Sequence, residues 1–473
     1  MHRLAGLTRA FLMMTALAAP AAAQSLDSAL RTRVDGIFSQ FGPSTPGCAL
    51  GVYRNGAIAY SNGYGMANLE HNVPITPGTV FDIGSTSKQF TAASILLLAN
   101  EGKLSLDDEV RKWVTELPAY SSPVTIRQLL HHTSGLRDYL ALMGLRGINF
   151  DGITTDRDAL DLIVRQKDLN FTPGSEYLYS NSGYFLLGEI VRRVSGKSLR
   201  AFAEERIFNP LGMTVTHYHD DHTMLVPNRA TGYEPRRGGA FAVSMSGFEQ
   251  TGDGAVYTTV EELLKWDNNF YDAKVGGPKL LDEFHVRGIL NNGDTLPYAR
   301  GLFVDKLRGL RRVSHGGAWA GYRAELMRFP DQRTSLAVLC NQGNANPTRL
   351  ADRVAEILLE SQMESVDAKA STAANTPPAP TTPTPPADLR RADYTGEYYS
   401  PELDITYRIR LQGTSLLLDF PGNNAEELTW REPDQFSASG NYLRLAFQRE
   451  GGQVGAFTLG AGRARNIRFE KKQ

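Results

Sequence analysis

Ser85 and Lys88 stand three residues apart in Phe81-Asp82-Ile83-Gly84-Ser85-Thr86-Ser87-Lys88-Gln89-Phe90, and this pair is where the chain first offers chemistry. The stretch continues into Thr91–Ala99, a helical pattern with Phe90, Ala93 and Leu97 on one face and Gly102 as its stop signal. At the start of a helix, positions three apart share a face one turn apart. A serine alcohol becomes an effective nucleophile when a neighbouring base takes its proton, and an amine within hydrogen-bond reach does so. First-turn backbone N–H groups have no intrahelical partner and the macrodipole is positive there, so an oxyanion beside Ser85 would be stabilised. The competing reading makes Ser85 a helix cap and Lys88 a solvated surface lysine. A Ser-x-x-Lys arises by chance roughly once in a chain of this length. The choice therefore rests on other stretches.

Three of them bear on it. Tyr179-Ser180-Asn181 precedes a helical run with Leu186, Leu187, Ile190 and Val191. His315-Gly316-Gly317 ends a strand-like segment, and His131-His132-Thr133-Ser134-Gly135-Leu136 follows Leu129-Leu130. Ser-x-x-Lys, Tyr-x-Asn and His-x-Gly, in that order, resemble the serine β-lactamase and penicillin-binding-protein superfamily. The likeness is to its branch of class C β-lactamases, D-aminopeptidases, D-alanyl-D-alanine carboxypeptidases and related esterases. Pro210-Leu211-Gly212-Met213 and the run Thr251–Thr259 extend the resemblance over roughly residues 30–360.

The resemblance implies roles for particular residues. Ser85 is expected to be the acylated nucleophile, Lys88 the amine sharing its proton, and Tyr179 a second general base. Such a tyrosine works near neutral pH if cations such as Lys88 lower its pKa. Asn181 is expected to orient the substrate carbonyl and Lys88, and the oxyanion hole maps onto the backbone N–H groups of Ser85 and Ala318. Gly316 and Gly317 would let a substrate backbone lie against the strand edge. Position 315 departs from the class C enzymes, which have lysine there. Histidine, largely neutral at pH 7, is similar to the D-aminopeptidase and esterase-like members and argues against an efficient β-lactamase, with His315, Gly316 and Gly317 forming the substrate-binding strand end.

Other candidates carry less. His217-Tyr218-His219-Asp220-Asp221-His222 matches a zinc motif of metallo-hydrolases, but the distant ligands of that fold are lacking and no metal or other cofactor is expected. His132 reads as structural, Trp319 and Tyr322 as possible cleft residues, and Asp253 as a turn residue without a catalytic partner.

The surrounding chain sets the framework. It has 473 residues, a net charge of −1 and 41% hydrophobic content, which suits a globular protein of two or three domains rather than a nucleic-acid binder. Residues 1–23 read as a secretory signal peptide: a basic start (His2, Arg3, Arg9), an apolar run from Phe11 to Ala19 and the small residues Ala21-Ala22-Ala23. With no lipid-accepting cysteine after it and no membrane anchor, a periplasmic or secreted protein is expected. Cys48 and Cys340 lie in strand-like runs; a disulfide and two buried thiols are both open in an oxidising compartment.

Asn55-Gly56 marks a hairpin between Cys48–Tyr53 and Ala57–Tyr60. Strands return at Gly301–Val304, Arg311–His315, Tyr322–Phe329 and Ser335–Cys340, and a closing helix begins at Pro347. The expected fold is α+β: an antiparallel sheet from both ends of residues 24–363, with a helical block carrying Ser85 between them. Residues 364–388, rich in Pro, Thr and Ala, read as a linker. Residues 389–473, with Ile405, Tyr407, Ile409 and Leu411 alternating with polar residues, read as a small all-β, lipocalin-like barrel. The implied activity is an exported serine hydrolase cleaving amides or esters through a Ser85 acyl-enzyme, on D-residue peptides or small esters. The alternatives are a β-lactamase or carboxypeptidase proper, and a non-catalytic penicillin- or peptidoglycan-binding module.

Overall fold

Strands drawn from the two ends of the N-terminal region build one six-stranded antiparallel sheet. They are β1 (Cys48–Arg54), β2 (Ala57–Tyr64), β3 (Phe303–Leu307), β4 (Leu310–Trp319), β5 (Tyr322–Phe329) and β6 (Thr334–Cys340), in the order β3-β4-β5-β6-β1-β2. The computed structural model describes residues 25–365 and 383–472. The expected signal peptide and most of the expected linker lie outside the described residues. Asn55 and Gly56, both with positive φ (50° and 84°), make the β1–β2 turn that the dipeptide predicts.

Strands β1 and β6 are buried on both faces because each face has its own cover. Leu50, Val52, Leu336 and Val338 pack under helices α1 (Ser28–Ile37) and α5 (Pro347–Leu359), through Val34, Leu350 and Val354. The alternate residues Ala49, Tyr53, Ala337 and Leu339 face the helical block. Cys48 lies directly opposite Cys340 in the β1–β6 register, and the two form a disulfide across 292 residues of chain. That settles the cysteine question in favour of the bridge.

The helical block is organised on α2 (Lys88–Asn100), which is buried from Lys88 through Leu98. The expected one-sided stripe of Phe90, Ala93 and Leu97 is thus too narrow; helix α3 (Asn181–Ser195), the helices Leu199–Ala203 and Gly277–Phe284, and the Trp266 side chain of α4 (Val260–Asp272) enclose the rest. A helix buried all round must satisfy its polar side chains internally. Gln89 Oε1 accepts from Trp266 Nε1 at 3.0 Å, and Thr91 Oγ1 donates to Gly252 O at 2.6 Å.

Residues 396–471 form a closed eight-stranded barrel of strands β7 (Gly396–Ser400), β8 (Ile405–Gln412), β9 (Ser415–Asp419), β10 (Glu426–Glu432), β11 (Gln435–Ala438), β12 (Leu443–Glu450), β13 (Gln453–Ala461) and β14 (Ala464–Lys471). Its interior is filled by side chains such as Tyr398, Phe447, Phe457 and Phe469, as expected for eight strands. Tyr407 and Ile409 point inward as the alternation predicts, whereas Leu411 is exposed at the strand end.

The barrel docks on the N-terminal region around Arg137. The Arg137 guanidinium, fully buried, pairs with Glu402 and donates to the carbonyls of Arg465 (2.8 Å) and Asn466 (3.0 Å). Asn170 grips the β13–β14 turn at both ends, donating to Arg463 O at 2.9 Å and accepting from Arg465 N at 2.7 Å. A buried ion pair resists opening, because separating it strands a charge.

If the disulfide ties the sheet as described, titration of the unfolded, unreduced protein finds no free thiol. Replacing both cysteines by serine is expected to lower unfolding stability by about 2–5 kcal/mol. Two titratable thiols in the untreated protein would contradict the pairing.

Candidate active site

Ser85 sits on a short 3-10 turn, Gly84–Ser87, that leads directly into α2. The turn is pressed against β4. Strand β3 pairs only with Leu310–Ser314, so His315–Trp319 have no strand neighbour on that side and face the serine turn instead. Thr86 Oγ1 donates to His315 O at 3.0 Å. Gly84, with φ 49°, has a Cβ position 2.8 Å from Ala318 N, so the Ala318 amide abuts the residue before the serine. Gly317 is required by the same approach: a Cβ there would lie 1.9 Å from Ile83 O. A Cβ at Gly316 would meet the buried Glu325 at 3.1 Å. Internal packing already explains both glycines.

Lys88 is wholly buried, and its amine touches three oxygens. Nζ lies 3.1 Å from Ser85 Oγ and 2.9 Å from Asn181 Oδ1, and it also donates to the backbone oxygen of Asp253. Burial lowers its pKa to about 8, against the opposing pull of the Asp253 and Asp138 carboxylates. Sequence reasoning had left Asp253 without a partner. The structure corrects that: its carbonyl holds Lys88 and its carboxylate accepts from Tyr139 Oη at 3.1 Å. Burial raises the Asp253 pKa to about 6, and that of Asp82, which accepts from Gly84 N, to about 7.

Asn181 opens α3, and Asp138 fixes which way its amide points. Asp138 Oδ2 accepts from both Asn181 N (2.7 Å) and Asn181 Nδ2 (2.9 Å), so Oδ1 must face Lys88. The other oxygen of Asp138 caps the helix Tyr139–Arg146 through Leu140 N and Ala141 N. One carboxylate thus does two positioning jobs.

Tyr179 lies beside Ser85, close enough for the serine hydroxyl to favour its anion, but its buried Oη has no hydrogen bond of good geometry. Lys88 Nζ is 4.9 Å from its ring centre. Burial lifts the phenol well above its ordinary range, and the charge that opposes this is Arg463. The condition for Tyr179 to act as a base near neutral pH, a pKa lowered by cations such as Lys88, is not met, because desolvation outweighs the nearby charge. His132 stacks 4.1 Å from the Tyr179 ring and accepts from Ser180 N at 3.1 Å through Nδ1. Burial first, then the charge of Lys88, keeps its pKa well below the ordinary value, so His132 is a neutral positioning group. His315 is buried with both nitrogens in use: Nδ1 donates to Gly316 O at 2.6 Å, and Nε2 accepts from Tyr298 Oη at 3.1 Å. Burial and Lys88 push its pKa to about 3. It contributes a neutral wall.

Ser85, Tyr179, Asn181, His315, Gly316, Gly317 and Ala318 all line one cleft of about 880 Å³. So does Arg463, which comes from the barrel. Its guanidinium lies 4.7 Å over the Tyr179 ring and 3.9 Å from Asp138 Oδ2, and its backbone oxygen accepts from Asp138 N at 3.2 Å. Asp138, Asp253 and Arg463 were missed in the sequence because their partners are 43, 165 and more than 280 residues away. Trp319 lines the cleft; Tyr322 is buried behind it, donating to Ala230 O. The histidine run 217–222 does not converge. His217 hydrogen-bonds Val215 O, while His222 meets Glu249 at 2.7 Å near Asp221.

The family model described as Beta-lactamase matches residues 26–360. A D-aminopeptidase of Gluconobacter oxydans is 30% identical over 315 residues, which are 66% of this chain and 59% of that protein. Penicillin-binding protein 4* of Bacillus subtilis is 32% identical over 309 residues, 61% of this chain and 66% of the relative. The matched stretch thus spans less than two thirds of either relative's length. The octameric penicillin-binding protein homologue from Pyrococcus abyssi superimposes with a TM-score of 0.64 at 23% identity, covering 94% of this chain and 99% of that one. The shared fold therefore includes the C-terminal barrel.

Asp138→Asn tests the orienting role without removing the helix cap. Its oxygen still caps Tyr139–Arg146, but its amide opposes the Asn181 amide and turns it over. A misplaced Lys88 is expected to lower kcat about 10²-fold with little change in melting temperature. A wild-type kcat would overturn the orienting role.

Proposed function

Because this chain belongs to the Beta-lactamase family, we propose that it is an exported serine hydrolase that opens amide or ester bonds through an acyl-enzyme on Ser85. One observation carries the reading: a fully buried lysine amine bonded to Ser85 Oγ and to two oxygens that only accept. A neutral amine has two N–H donors and one lone pair. Asn181 Oδ1 and the Asp253 carbonyl take the two N–H groups, so the lone pair is left facing Ser85. With its pKa near 8, about a tenth of Lys88 is neutral at pH 7. That fraction is the base.

The reaction follows from these positions. Ser85 Oγ passes its proton to Lys88 Nζ as it bonds to the substrate carbonyl carbon, and the carbonyl electrons move onto oxygen. The backbone N–H groups of Ser85 and Ala318 receive that oxyanion, each such donor being worth about 2.7–4 kcal/mol in the transition state. The tetrahedral centre collapses, the bond to the leaving amine or alcohol breaks, and the leaving group takes a proton. Tyr179, a neutral phenol beside Ser85, hands that proton on and is refilled from the Lys88 ammonium. Water then attacks the ester by the reverse path, releasing the acid and restoring Ser85.

Peptides with D-residues or small esters are the substrates this reading favours. The D-aminopeptidase relative supports the first, and the neutral His315 supports both over a β-lactam, whose carboxylate would find no cation at that position. The expected leader and the buried disulfide support a periplasmic or secreted location, and no helix among the described residues is long and apolar enough to cross a membrane.

A panel of D-alanine p-nitroanilide, a D-alanyl-D-alanine peptide, nitrocefin and p-nitrophenyl butyrate separates the readings. Turnover of the anilide or butyrate, with nitrocefin slowest, is expected, and Ser85→Ala should abolish both burst and steady rate. A burst without turnover would mark a binding module, and an unaffected rate in Ser85→Ala would sink the assignment.

A further inference from the structure

The β13–β14 turn presents two neighbouring residues to two different cavities. Arg463 lines the catalytic cleft, while Gly462, one residue before it, lines a groove of about 760 Å³ on the barrel surface. Tyr442 bridges them: its ring packs over Gly462, it is 53% exposed, and its phenol feels the charges of Asp138 and Arg463. The groove and the cleft therefore adjoin across this turn.

Its lining carries one sign of charge. Arg431, Arg444 and Arg465 line it together with Ser437, Asn441, Thr458 and small residues, and none of the lining residues is acidic. The strand register explains the shape. Ser437, Arg444 and Gly460 stand opposite one another across β11, β12 and β13, with Ala446 opposite Thr458 one step along. Glycine, alanine and threonine make a floor between arginine walls. Arg431 is propped upright by Ser437 Oγ at 2.7 Å and by Asn441. Arg465 is held by Glu176 at 3.0 Å. Arg444, exposed, has no ion pair among the described residues. Arg431 and Arg444, which have no carboxylate partner among the described residues, are suited to receiving carboxylates from outside, because the guanidinium plane matches them in pairs of hydrogen bonds, whereas Arg465 is already paired with Glu176.

We propose that the barrel is the substrate-recognition domain of this hydrolase and that it selects acidic peptides, with Arg463 taking a carboxylate beside Ser85 and the Arg431–Arg444–Arg465 groove taking further carboxylates along the same chain. The inference rests on the serine-hydrolase reading and names its substrate class. His315 cannot supply the cation, being neutral and committed to Gly316 and Tyr298. Lys88 is buried and spent on Ser85, Asn181 and Asp253. Arg463 keeps a side chain 46% exposed in the cleft, and its nearest carboxylate, Asp138, is already taken up with Asn181.

The test is binding to the Ser85→Ala protein, followed by fluorescence anisotropy. The probes are a labelled D-alanyl peptide bearing glutamates and its glutamine counterpart. The glutamate peptide is expected to bind at least about tenfold tighter, one charge-assisted contact being worth about that factor, and to lose the advantage in salt. Arg444→Glu and Arg444→Gln, both on an exposed side chain, should reduce the preference, the glutamate variant more than the glutamine, and leave hydrolysis of p-nitrophenyl butyrate by the Ser85 enzyme unchanged. Equal binding of the two peptides, or a preference undiminished in both Arg444 variants, would overturn the proposal. Failure of the wild type to turn over the butyrate would strike the hydrolase reading instead, since that ester has no carboxylate to offer the groove.

Discussion

The amine of Lys88 has no water to turn to, and the rest of the catalytic region is arranged around that constraint. A buried lysine is unfavourable unless every N–H meets an acceptor, and here the acceptors are Asn181 Oδ1, the Asp253 carbonyl and Ser85 Oγ. The same burial that costs stability brings the amine toward neutrality. Two of the three acceptors cannot donate, so geometry alone decides that the freed lone pair looks at the serine. In the proposed mechanism, desolvation and hydrogen-bond direction together make Lys88 the base.

That arrangement reaches well beyond the contact itself. Asp138 sets the sense of the Asn181 amide, and the chain next to Asp138 is where the barrel docks, through Arg137, Glu402 and the β13–β14 turn. The backbone N–H of Asp138 is itself held by Arg463 O. The barrel is thereby connected to Lys88 through three successive hydrogen bonds, while its Arg463 side chain enters the cleft. On the opposite side, the sheet edge at His315–Trp319 is brought onto the serine turn at a distance only glycine permits at position 317.

Much of this was legible in the residues, for reasons that can be stated. Two-sided burial of the central strands showed as continuous apolar runs, Asn55-Gly56 announced its hairpin, and alternation across Ile405–Leu411 announced a barrel strand. Ser85, Lys88, Tyr179 and Asn181 stand out because each belongs to a short local motif whose order is informative, and the fold brings them together. What stayed hidden is non-local. Asp138 reads as an ordinary helix cap, and its second oxygen matters only once Asn181 arrives from 43 residues away. Asp253 acts through its carbonyl, which no side-chain pattern reports. Arg463 sits in a Gly-Ala-Gly-Arg turn of a different unit, and nothing local points it at Tyr179. The raised pKa of Tyr179 is not legible locally for a related reason: burial of the phenol is a property of packing, and it outweighs the nearby charge.

The rate at which a fluorophosphonate labels Ser85, followed by intact mass against pH, tests the central claim most directly. If the buried amine is the base, labelling rises with pH through a midpoint of about 8 and disappears in Lys88→Ala, while the protein stays folded. A labelling rate that is flat across that range, or that survives loss of Lys88, would contradict the account.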